Sequence, residues 1–166
     1  MSIKINYSNK LKNKLSKNVV LFVNEKYDLK NVKKHISNSE LSYISDILKT
    51  GDLKKNIFKI LGNSKKKIIL ISVKKSPKIS EVENLGAEFY GKINYGKNSE
   101  YYLISESLET SFSNFLGYFL HGLKLKSYEF KKYKTKKKIR STSLNIVGNK
   151  NISSVQNQKR FRAIEE

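Results

Sequence analysis

The chain has 166 residues and no cysteine, which excludes a disulfide framework, a thiolate metal site and a cysteine nucleophile. Its length suits one domain, and its hydrophobic share of 38% falls in periodic blocks able to build one core. The formal net charge of +20 favours a polyanionic partner. The basic residues are lysine apart from Arg140, Arg160 and Arg162, however. Phosphate and base-edge recognition leans on arginine's planar fork, so drift in an AT-rich genome is the favoured explanation of the charge over a dedicated nucleic-acid surface.

Ile3 to Tyr7 alternates apolar and polar residues and predicts a strand that begins at once, with no apolar signal core behind it. No run approaches the roughly 18 apolar residues of a membrane span, so a cytoplasmic protein is expected. Val19-Val20-Leu21-Phe22-Val23 is continuous and apolar, which predicts a strand buried on both faces. Ser37-Asn38-Ser39-Glu40 is a capping box, with Ile36 and Leu41 placed as a hydrophobic staple. Leu41, Ile44, Ile47 and Leu48 then share a helical face that Gly51 ends.

Asn56 to Leu61 and Ile68 to Val73 predict two strands joined through Gly62-Asn63-Ser64, close enough to pair antiparallel. After the break at Ser76-Pro77, Ser80 and Glu83 suggest a second capping box. Val82, Leu85, Gly86, Phe89 and Ile93 form the face of the helix that follows. Tyr101 to Ile104 is a short strand. Ser107 is expected to open a helix carrying Leu108, Phe112, Phe115, Leu116, Phe119, Leu120 and Leu123. Lys131 to Lys138 is a charged loop, Thr142, Leu144 and Ile146 alternate as a last strand, and Gly148 to Asn151 turns the chain. A final helix is expected from about Ser153, with Val155, Phe161 and Ile164 as its apolar markers. It stops at Glu165-Glu166 without a cap, as a helix leading into further chain would. Interleaved helices and strands with an antiparallel hairpin predict a three-layer α/β domain around a mixed sheet.

Residues suited to catalysis are scarce. His35 and His121 lack the spacing of a zinc site and read as lone histidines. Asp28, Asp46 and Asp52 do not converge as a hard-metal site needs. There is no nucleophile elbow, Walker loop or dinucleotide fingerprint. Gly62-Asn63-Ser64-Lys65 could hold an anion on its amides, but a hairpin turn accounts for it. No catalytic or metal-binding residue is therefore assigned. The one dense basic patch is Lys131, Lys132, Lys134, Lys136, Lys137 and Lys138, with Tyr128, Phe130 and Tyr133 interleaved as stacking candidates. The plainer reading has Phe130 and Tyr133 anchoring the loop while the lysines face water.

Ser42-Tyr43-Ile44-Ser45-Asp46-Ile47-Leu48-Lys49-Thr50-Gly51-Asp52-Leu53 resembles the first helix and glycine stop of the amino-terminal domain of leucyl aminopeptidases (cytosol aminopeptidases). Glu83-Asn84-Leu85-Gly86-Ala87 resembles that family's next helix. Gly117 to Leu123, followed by Ser127-Tyr128-Glu129-Phe130-Lys131-Lys132-Tyr133-Lys134, is similar to its later helix and trailing Tyr-x-Phe-x-x-Tyr-Lys segment. Phe161 to Glu166 resembles the start of the linker helix that leads to the catalytic domain. The resemblance implies a macro-domain-like α/β sandwich over residues 1–150 and the start of a linker helix over 151–166. It implies a hexameric metalloaminopeptidase whose two divalent ions, zinc or manganese, are held by a lysine and several carboxylates of the carboxyl-terminal domain. No position here matches those ligands, so this chain alone is expected to be inactive, with a role in assembly and with the catalytic domain and other subunits as partners. In some bacterial members the protein also binds DNA. The alternative reading is a free-standing nucleic-acid-binding module. The macro-domain likeness also raises ADP-ribose binding, but the sequence lacks the glycine-rich phosphate loops that would serve it.

Overall fold

The computed structural model describes residues 3–8, 18–50, 58–62, 66–93, 99–109, 114–128 and 142–148. In chain order the elements are β1 (Lys4–Ser8), β2 (Asn18–Asn24), α1 (Asn38–Thr50), β3 (Phe58–Gly62), β4 (Lys67–Val73), α2 (Ile79–Ile93), β5 (Ser99–Ile104), a 3-10 turn (Ser105–Ser107), α3 (Phe115–Ser127) and β6 (Thr142–Val147). Among the described residues, six strands form one sheet in the order β1-β6-β5-β2-β4-β3. β1, β6, β5, β2 and β4 run parallel, and β3 joins β4 antiparallel. The mixed sheet and the hairpin match the sequence expectation.

β2 lies between β4 and β5, and the alternation of its side chains divides the core. Val20 and Phe22 join Ile69, Ile71, Leu103 and Leu144 beneath Val82 and Phe89 of α2 and Phe115, Phe119 and Leu123 of α3. Val19, Leu21 and Val23 face the other way, with Leu70, Ile104 and Ile44 of α1. One residue of slip would exchange these two sets, so burial on both faces fixes the register. Phe22 meets Phe115 and Phe119 edge-on at 5.7 and 5.5 Å, an arrangement that sets positive ring edges against negative faces. The result is three layers: α1 and the chain before it, the sheet, then α2 with α3.

The first capping box forms as expected. The Ser37 N–H donates to Glu40 Oε2 at 2.9 Å, and the Glu40 N–H donates to Ser37 Oγ at 3.3 Å. The second does not. α2 starts at Ile79, so Ser80 is already inside the helix, and Glu81 reaches back to the Lys78 N–H at 2.8 Å. Lys78 has no side-chain oxygen to return the bond, so only half of a box is made. The start of α3 also differs. Ser107 belongs to the 3-10 turn, and α3 begins at Phe115 after Asn114 in a left-handed conformation. The expectations at Gly51, at 63–65 and beyond Gly148 lie outside the described residues.

α2 and α3 approach backbone to backbone. A Cβ on Gly86 would stand 1.9 Å from the Phe119 carbonyl oxygen, and one on Gly122 would stand 1.9 Å from that of Glu83. Glycine is required at both positions because main-chain atoms occupy the space.

Candidate functional site

In open α/β sheets, ligands enter at the carboxyl ends of the strands where successive connections run to opposite sides. Here that place is between β2 and β5. β5 pairs with β2 only from Asn18 to Val20, whereas β4 accompanies β2 as far as Asn24. Past Val20 the sheet parts, and the 3-10 turn fills the opening. The Phe22 N–H donates to Ser107 Oγ at 2.9 Å, and the Ser107 hydroxyl donates to the Ile104 carbonyl at 2.7 Å. The Ser105 hydroxyl donates to the Val147 carbonyl at 3.1 Å. Gly148, at φ +108°, sits against this turn, where a Cβ would come within 2.8 Å of Ser105 Oγ. Its N–H donates to Ser8 O at 3.1 Å. These buried hydroxyls hold strand ends together.

The segment after β2 is also tied down. Asn24 Oδ1 accepts the N–H groups of Lys26 and Asp28 at 3.1 and 3.0 Å. Tyr27, buried between them, has φ 55°, an uncommon conformation for a bulky residue. Burial pushes its phenol above the ordinary range.

Two polar pairs bridge the layers. His121 is not alone: its Nδ1 lies 2.8 Å from Glu83 Oε1, across the junction of α3 with α2. The second pair joins Glu40 to Lys66, at 2.6 Å and with Lys66 only 7% exposed. Burial by itself would raise the Glu40 carboxyl. Hydrogen bonds from Lys66 and from the Ser37 N–H and hydroxyl, with the lysine's charge, outweigh it and hold the group below its ordinary value. Asp28 and Asp46 are surface residues beside Lys30 and Lys49. Among the described residues there is no group of three or more His, Asp or Glu side chains able to hold a metal ion. No helix among them is long and apolar enough to cross a membrane.

Lys131, Lys132, Lys134, Lys136, Lys137 and Lys138 lie outside the described residues, as do Phe130, Tyr133 and Asp52. Tyr128 is described and is 73% exposed at the end of α3. Sequence reasoning missed the part played by Ser107, because a serine before an apolar run reads as a helix cap. The signal available was the short apolar length of 101–104, which leaves a seven-residue β2 without a full partner on that side.

The fold is similar to that of a solved mutant of tomato leucine aminopeptidase. The TM-score is 0.59 and the sequence identity 15%, over 98% of this chain and 35% of that one. At this identity the likeness is one of fold, and the chain spans about a third of the tomato protein's length. No protein-family model matches the sequence. No curated protein matches it.

Proposed function

We propose that this chain is the non-catalytic amino-terminal domain of a leucyl aminopeptidase-type metallopeptidase, serving assembly of the enzyme. Peptide-bond cleavage would then belong to a catalytic domain holding two divalent ions, zinc or manganese, in a cytoplasmic homo-hexamer. The observation that carries the reading is the fold likeness, which takes in 98% of this chain and about a third of a leucine aminopeptidase. The order of the sequence segments supports it independently.

Two measurements test it. The purified chain should not hydrolyse leucine anilides with added manganese or zinc, and metal-dependent turnover free of host enzyme would refute the reading. The gene should continue in frame into a lysine-plus-carboxylate metal cluster, and an uninterrupted stop after Glu166 would equally refute it.

A further inference from the structure

We draw no further inference here: the strongest candidate, the exposed apolar patch of Ile79 at the start of α2 with Leu125 and Tyr128 at the end of α3, carries nothing, because nothing in the structure shows what covers it.

Discussion

Gly122→Ala tests the packing of α2 on α3 directly. The new Cβ would lie 1.9, 2.5 and 2.7 Å from the O, C and Cα of Glu83. These are main-chain atoms of a helix, so no side chain can swing aside. Ordinary contact begins near 3.4 Å, so the helices must part by more than an ångström. That separation loosens Phe89, Phe119 and Leu123, which are fully buried between the helices and the sheet. Overpacking of a core costs about 1–3 kcal/mol and sometimes more, while alanine in place of glycine returns about 1 kcal/mol of helix propensity. A backbone clash this close belongs at the upper end, so a net loss of about 2–3 kcal/mol is expected, a large part of a typical total of roughly 5–15. Urea unfolding followed by circular dichroism should show a lower midpoint at unchanged m-value. Gly91→Ala is the internal control. It lies on α2 with nothing within 4 Å of its Cβ position, so the same change should stabilise by about 0.5–1 kcal/mol. If Gly122→Ala proved neutral or stabilising, like Gly91→Ala, the close approach of these helices would be wrong.

Other perturbations probe the remaining joints. Ser107→Ala should cost about 1–3 kcal/mol by leaving the buried Phe22 N–H without its acceptor, read from the same urea curves. Its amide proton should also exchange with solvent faster. Glu40 gives a pH signature: because its carboxyl titrates lower in the folded chain than in the unfolded one, its stabilisation is complete above the ordinary value of 4.5 and is lost as pH falls through the lower folded value. Thermal melts from pH 7 to pH 3 should therefore show the gap between the parent and Glu40→Gln closing on the acid side, and a constant gap would refute this account.

The sequence spoke clearly wherever one local rule sufficed. The apolar run at 19–23 predicts β2 because a strand covered on both faces needs no alternation. Ser37 and Glu40 predict their cap because both partners sit three residues apart. The failures came where a distant partner decides the role. Glu83 fits a cap by spacing, but α2 had already begun, and its carboxylate faces His121 from another helix. Ser107 fits a helix start, but its hydroxyl is drawn to Phe22, 85 residues earlier in the chain. The glycines at 86 and 122 were legible only as small residues, since nothing local says that another helix's backbone will occupy the space.

The pairing of β1 with β6 bears on how the chain comes to be folded during synthesis. The first strand has the last one as its neighbour, and Asn6 holds Asn145 across 139 positions. When β1 leaves the ribosome its partner has not yet been translated, so the inner strands must assemble first and β1 must wait. Such long-range closure slows folding and leaves an early strand exposed to wrong partners. A nascent chain halted before Thr142 would hold every other described strand and still be unable to seat its own beginning.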